Sequence, residues 1–399
     1  MDQVDVTVVL VVHDAMPQLT ATLDALAGQS LRRRAGPALE VIAVDDGSTD
    51  GSGAELRRFA GRHPDFVRLL RQPYSGGPAG PANRAMALAR GRYLLFLDAQ
   101  ERLGEHAVER LLALADRTSA DVVLGRTAGA GGPPPPPALF ERSRAQVGFA
   151  ESALAWALSD AKLLRRALLE RHGLRRREDL PVLSHWPFTL EVCLRAGRIS
   201  VLAGHDGACA VRREDWAPVA VRSRHEDRLR ALAAVLEVAG RLARPGAERE
   251  AIRARFFSWD VPGLLQADFL ALDAAAQRRV CAGVGRLVEL HCEEAALTQL
   301  PARDRLRLEL ARHGRVAALR RLIRYQAAYG ESCEPAVAGQ PQAAGEVGRA
   351  VVAPVAAVVP AVPVPVQVWR GLVPAPVRRR LYRRPAWRGF VARSYARWG

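Results

Sequence analysis

Lysine is nearly missing from this chain: of 58 basic residues, only Lys162 is a lysine. Cysteine is sparse, and the five present (Cys193, Cys209, Cys281, Cys292, Cys333) form no Cys-x-x-Cys pair. An odd, dispersed set argues against a disulfide framework and a cysteine zinc site, and predicts a reduced, cytosolic chain. No basic segment precedes the first apolar run, Val6 to Val12, which is too short for a signal-peptide core or a membrane span. A later apolar stretch, 350–369, is broken by Pro354, Pro360, Pro363 and Pro365, which argues against a spanning helix. No repeat of fixed period is evident.

What is present is a 399-residue chain, 49% hydrophobic, enough for one large domain and a smaller one. The net charge is +16. A GC-rich coding preference and an anionic partner would each explain so much arginine. The distribution helps to decide, because residues 370–399 hold nine Arg and no acid, leaving the remainder only mildly basic.

Val6-Thr-Val-Val-Leu-Val-Val12 is a β-branched run, as expected for a strand buried on both faces. Helical spacing follows over 17–29, then a second buried strand, Leu39 to Val44, and a helix over 50–62. Phe66 to Leu70 reads as a short strand, 80–90 as a helix, Tyr93 to Leu97 as a strand, 104–117 as a helix, and Asp121 to Leu124 as a strand. Alternating strands and helices imply a parallel, doubly wound α/β sheet. Ligands of such sheets bind beyond the strand C-termini, where Asp45, Asp46 and Asp98 fall. Pro133 to Pro137 is a polyproline loop within this domain. From about 225 to 328 the pattern turns helical, and 331–369 reads as a Pro-, Ala- and Val-rich linker.

Two strand ends carry candidate chemistry. In Asp45-Asp46-Gly47-Ser48-Thr49-Asp50, short polar groups can simply cap the next helix, or a carboxylate can accept from a base N–H or ribose hydroxyls. In Asp98-Ala-Gln100-Glu101, an acid can cap a helix, or hold Mg²⁺ or Mn²⁺ against a diphosphate.

The ordered set resembles the family 2 inverting glycosyltransferases of the GT-A fold. The order is strand, His13-Asp14, helix, Gln29-Ser30, strand, Asp45 to Gly51, Gly76-Gly-Pro-Ala-Gly-Pro-Ala-Asn83, then Ala89-Arg-Gly91 to Asp98. The chain is most similar to the bacterial branch that modifies envelope polymers such as wall teichoic acid. Glu191-Val-Cys-Leu-Arg-Ala-Gly-Arg198-Ile-Ser-Val-Leu202 resembles the segment that follows that branch's base motif. The resemblance covers roughly residues 4–216, with a weaker helical echo to about 328.

By that resemblance, Asp45 and Asp46 contact uracil and ribose, His13-Asp14 replaces the usual Tyr-Asn at the nucleotide pocket, and Asn83 matches an Arg-Asn pair whose arginine is here Ala82. Asp98 matches the first acid of an Asp-x-Asp metal motif, and Gln100 stands at the second. The inverting reaction needs a base for the acceptor hydroxyl. Two registers compete for the family's Glu-Asp base pair. Glu178-Asp179 has the right residues but lies nine residues before Phe188, whereas the gapless match from Phe188 puts Ser184-His185 there. The second register makes His185 the base and leaves Asp179 in the preceding loop; packing beside Trp186 is the plainer role for this histidine. Arg212-Arg213-Glu214-Asp215-Trp216 lies near a late basic motif that can touch the diphosphate, and equally reads as a charged strand edge.

The expected organisation is a GT-A-type domain over 1–216, a helical region over 217–330, the linker 331–369, and a disordered basic, aromatic tail over 370–399. The implied activity is transfer from a UDP-sugar to a glycan or polyol-phosphate polymer. With Gln100 and Ser184-His185 both altered, a catalytically weak or inactive binding or scaffold protein is the alternative. The tail interleaves its arginines with Leu381, Tyr382, Trp387, Phe390, Tyr395 and Trp398, which suits an anionic membrane surface at the inner face of the cell membrane; an acidic polymer acceptor would attract the same charges, and a merely solubilising end is the plainer role. No nucleic-acid-binding fold is recognisable.

Overall fold

The computed structural model describes residues 4–34, 38–128, 136–203, 210–212 and 223–329. Expectations for the linker 331–369 and the tail 370–399 lie outside the described residues.

Two continuous apolar runs, β1 (Val6–Val12) and β2 (Leu39–Asp46), pair in parallel, with Val12 opposite Asp45. They are covered on both faces, which is why they alternate so little. On the other side of β1 lies β4 (Tyr93–Asp98), also parallel, with Val11 opposite Asp98. The main sheet has seven strands, in the order β3 (Val67–Gln72), β2, β1, β4, β8 (Lys162–Arg165), β6 (Val122–Gly125), β9 (Ile199–Leu202). A smaller sheet joins β5 (Glu101–Arg102), β10 (Ala210–Arg212) and β7 (Thr127–Ala128).

The sheet is mixed, not wholly parallel: β8 runs antiparallel to both β4 and β6. Its four residues, Lys-Leu-Leu-Arg, include no β-branched side chain, and α5 (Arg166–Arg171) follows without a loop. Neither period nor turn residues announce such a strand. Its position matters for the chemistry. Leu95 pairs with Leu163 and Tyr93 with Arg165, so continuing that register puts Asp160 level with Asp98.

Helices cover both faces. On one, α1 (Gln18–Ala27), α2 (Ser52–Arg62) and α4 (Ala107–Thr118) bury Leu23, Phe59 and Leu111 against the sheet. On the other lie α3 (Ala79–Leu88) and α6 (His185–Arg195), the latter burying Phe188 and Val192. This second core does not end there. It continues into α7 (His225–Leu242), α8 (Ala247–Arg255), α9 (Ala274–His291), α10 (Glu294–Thr298), α11 (Ala302–Arg312) and α12 (Val316–Tyr329) through Val235, Phe256, Val284 and Leu308.

The joint is aromatic. Phe256 is fully buried and meets Trp186 edge-on at 5.7 Å, and the guanidinium of Arg255 lies 4.7 Å from the Trp156 ring. Removing the Phe256 ring is expected to cost about 3–5 kcal/mol. Because it seals one continuous core, Phe256→Ala should lower the midpoint of a single thermal transition. Two resolved transitions in calorimetry would show instead that the helical layer melts by itself.

Candidate active site

Three neighbouring strand ends build the cleft: His13-Asp14 after β1, Asp45-Asp46 at the end of β2, and Asp98 at the end of β4. Between them the turn after β2 acts as a fastener. Asp45 Oδ1 accepts from Ser48 N (3.0 Å), Asp14 Oδ1 from Thr49 N (2.7 Å), and Asp50 Oδ2 from Met16 N (2.8 Å). Asp14 adopts a left-handed φ of +45°, which Asp tolerates better than most residues. These turn residues hold the β1 loop in place, and α2 begins after Gly51 with no side-chain cap hydrogen bond.

The two aspartates are not equivalent. Asp46 is fully engaged by protein, its Oδ1 accepting from Gln72 Nε2 (2.8 Å) and Ser75 N (3.1 Å), and its Oδ2 from Ser75 Oγ (2.9 Å). Asp45 Oδ2 is buried with no hydrogen bond, Arg71 Nε standing 3.4 Å away. An unsatisfied carboxylate oxygen is costly in a dry site and ready to accept.

Asp46 also fixes an aromatic ledge. Its carbonyl, which can only accept, is 2.8 Å from His13 Nδ1, so that nitrogen carries a proton. The His13 ring stacks on Tyr74, with centroids 4.2 Å apart and planes 25° from parallel. Tyr74 is 57% exposed although large and aromatic. It approaches closely because Gly47 has a φ of +70° and no side chain, and a Cβ there would lie 2.5 Å from Tyr74 N.

Asn83 is spent on a latch. Its amide bridges the backbone of Arg176, accepting from N and donating to O (both 2.9 Å), and donates also to Glu178 Oε1 (2.9 Å). The latch delivers Arg176 to Asp160, which it holds with two hydrogen bonds of 2.6 and 3.2 Å. The Arg176 guanidinium lies 4.2 Å from the centroid of Phe96. Burial raises the Asp160 carboxyl's pKa, but Arg176 and then His185 outweigh it and hold it below the usual range.

His185 is the first residue of α6, directly after Leu183, at φ +55°, and the fully buried Ser184. A non-glycine residue in that conformation is strained, and such strain gathers at functional sites. Asp179, by contrast, is 59% exposed and paired with Arg177 through bonds of 3.0 and 2.7 Å, which pull its pKa down. Lys162, wholly buried at the start of β8, donates to the Ser159 carbonyl. Burial drives its pKa down to about 8 against the opposing pull of Cys193, Asp160 and Glu101.

Asp98 Oδ1 accepts from Gln100 N (3.0 Å). Among the described residues no three His, Cys, Asp or Glu side chains converge as a metal cluster. One carboxylate beside an amide suits a cation shared with a diphosphate, not a cation held by protein alone.

Residues 7–168 match the model of glycosyl transferase family 2, and residues 225–323 match the glycosyl transferase TarS linker domain. The chain thus resembles a family 2 glycosyltransferase domain followed by a TarS-type linker domain. The chain is 28% identical over 209 residues to a poly(ribitol-phosphate) beta-glucosyltransferase of Bacillus spizizenii, covering 52% of this chain and 32% of that protein. It is 29% identical over 208 residues to the poly(ribitol-phosphate) beta-N-acetylglucosaminyltransferase TarS of Staphylococcus aureus, covering 52% and 36%. The matched region thus spans about a third of the length of these relatives. In fold, the chain superposes on S. aureus TarS 1–349 in complex with UDP with a TM-score of 0.67 at 22% identity, covering 81% of this chain and 92% of that one.

In the glycosyltransferase domain, sequence reasoning missed Tyr74, Ser75, Asp160 and Arg176. Only the Gly76-Gly77 run beside Tyr74 hinted at a tight ligand loop; the Asp160–Arg176 pair is long-range and leaves no local signature. The pair carries a linkage consequence. A carboxyl with a depressed folded pKa stabilises above its unfolded value of about 3.9, and that contribution fades as pH falls through the folded value. Asp160→Asn should therefore lose about 3 kcal/mol at pH 7, and clearly less near pH 3, in denaturant titrations at the two pH values. An equal loss at both would show that the charge of Asp160 is immaterial.

Proposed function

We propose that this protein transfers a sugar, with inversion, from a UDP-sugar to a hydroxyl of a polyol-phosphate polymer of the cell envelope. The observation that carries this reading is the meeting of His13, Asp14, Asp45, Asp46 and Asp98 at three adjacent parallel strand ends, with Asp160 level with Asp98 and His185 electrostatically coupled to Asp160. The names of the poly(ribitol-phosphate) relatives and the UDP in the S. aureus TarS complex support it.

In this reading, the His13–Tyr74 ledge takes the base and Asp45 Oδ2 accepts from the nucleoside. Asp14 borders the same pocket. Asp46 and Asn83 shape the walls. Asp98 and the amide oxygen of Gln100 would share Mg²⁺ or Mn²⁺ with the diphosphate, and the cation would offset charge gathering on the departing UDP. His185 takes the proton of the acceptor hydroxyl as its oxygen bonds to the anomeric carbon and the bond from that carbon to UDP breaks. Arg176 and Asp160 keep the imidazole in place. Asp179, paired and exposed, serves the loop. A UDP-sugar donor sets the reaction in the cytosol, and the basic tail 370–399 would meet the anionic inner face of the membrane; no helix among the described residues is long and apolar enough to cross it.

The uncharged Gln100 favours a second reading, a UDP-sugar-binding protein with little turnover. UDP release from a panel of UDP-sugars, with and without Mn²⁺, separates the two. The transferase reading expects release that depends on a polymer acceptor; binding of UDP with no release from any sugar would leave the binding protein.

His185→Ala should abolish turnover while UDP still binds, and Asp179→Ala should change kcat little. The reverse pattern would move the base to Asp179. Gln100→Asp should make turnover respond to Mn²⁺ at lower concentration, since a second carboxylate adds a charged ligand; an unchanged Mn²⁺ titration would place Gln100 away from the diphosphate.

A further inference from the structure

We propose that the outer face of α12 is a docking surface for an anionic phosphodiester polymer. Arg315, Arg320, Arg321 and Arg324 fall within ten residues, and no Asp or Glu occurs between 310 and 329. Among the described residues, none of the four makes an ion pair or a hydrogen bond through its side chain. Elsewhere in the helical layer most arginines are matched, as in Arg241–Glu191, Arg244–Glu248, Arg253–Glu293, Arg279–Glu226 and Arg312–Glu294, and the exceptions Arg278 and Arg286 stand apart on α9. The surplus is local, not a general property of an arginine-rich surface.

Helix geometry sorts these side chains. Leu319, Leu322 and Ile323 are buried in the core that α12 shares with its neighbours, and Gln326 accepts from Arg307 Nε (2.9 Å). The opposite face exposes Ala317, Arg321, Arg324 and Ala328, with Tyr325 at 38% exposure and Arg315 just before the helix. Arg321 and Arg324 are three residues apart, about 5–6 Å between Cβ atoms, so two guanidinium forks stand side by side. Each can grip a phosphate with two parallel hydrogen bonds. Flanking alanines leave room for a chain to lie along the helix.

A lipid surface fits less well. An interfacial helix inserts an apolar face, and the apolar face of α12 is already consumed by the protein core. A flexible polymer with regularly spaced phosphates asks only for the charged face. This inference rests on the polyol-phosphate acceptor proposed above and adds where a distant part of that acceptor is held.

The test is binding of the full-length protein to unsubstituted poly(ribitol phosphate), as a long chain and as a short oligomer, at several salt concentrations. Arg321→Glu with Arg324→Glu should weaken binding of the long chain roughly tenfold at low salt, and reduce the slope of log affinity on log salt by about two. UDP affinity, thermal midpoint and turnover of the short oligomer should be unchanged. Wild-type affinity for the long chain in the double variant would overturn the proposal. So would an effect seen only with anionic phosphatidylglycerol vesicles, which would assign the face to a membrane. Failure of the unmodified protein to bind the polymer, with UDP binding intact, would remove the acceptor reading itself and this surface with it.

Discussion

The ion pair between Asp160 and Arg176 is the contact on which the cleft depends. Asp160 enters β8 beside the end of β4, and Arg176 belongs to the loop that leads to α6. The pair therefore joins the sheet to the element that opens with His185. It does not stand alone. Asn83 grips the backbone of Arg176, Phe96 and Phe188 carry its guanidinium, and Lys162 and Glu101 lie nearby. A stacked cation contributes about 1 kcal/mol and a neutral hydrogen bond about as much. Stranding one member of a buried charge pair costs about 3–5 kcal/mol. The pair, not the latch around it, thus dominates the fastening of the loop before α6.

Asp46 plays the matching part on the other side. Its carboxylate holds Gln72 and Ser75, its carbonyl holds His13, and the His13–Tyr74 stack follows from both. Asp45, the residue before it, faces the other side of the strand, and its Oδ2 makes no hydrogen bond and lies 3.4 Å from Arg71 Nε. Alternation along a strand divides one dipeptide into a builder and a candidate binder.

Much of this was legible in the chain. The β-branched runs of β1 and β2 and the apolar run of β4 were readable because a strand covered on both faces must be apolar throughout. The helices α1 to α4 were readable from their spacing, as was the helical character of about 225–328. The acids at three strand ends were readable because the polar residues begin where the apolar runs stop. β8 was not, since four residues with no β-branched member carry no period. Asp160 and Arg176 were not, because their partnership depends on an antiparallel register that only the folded sheet defines. The sole lysine was noticed as a number; its burial between two acids was not, since composition does not say which charges face inward. The continuity of the second core was equally hidden. Helical periodicity in α7 to α12 tells that one stripe is apolar, but not that it meets the sheet layer through Trp186 and Phe256.

Gln100 fits the electrostatics of such a cleft better than its lost charge suggests. Asp14, Asp45, Asp46 and Asp98 already gather negative charge where a diphosphate is proposed to sit. Two unit charges 4 Å apart interact by about 4 kcal/mol at an effective dielectric constant of 20. A carboxylate at position 100 would attract a cation by that order and repel the diphosphate by the same order. With glutamine there, both terms vanish together. Binding of a UDP-sugar then loses less than a missing ligand implies, while the leaving group loses part of its cation. If Gln100 lies at the diphosphate as proposed, it would shift the burden from ground-state binding to the departure of UDP, where a cation would be needed most. On the proposed assignment, such a site would bind its donor well and turn it over slowly unless the acceptor were held long enough to react, which is the circumstance in which a separate grip on a long polymer would contribute most.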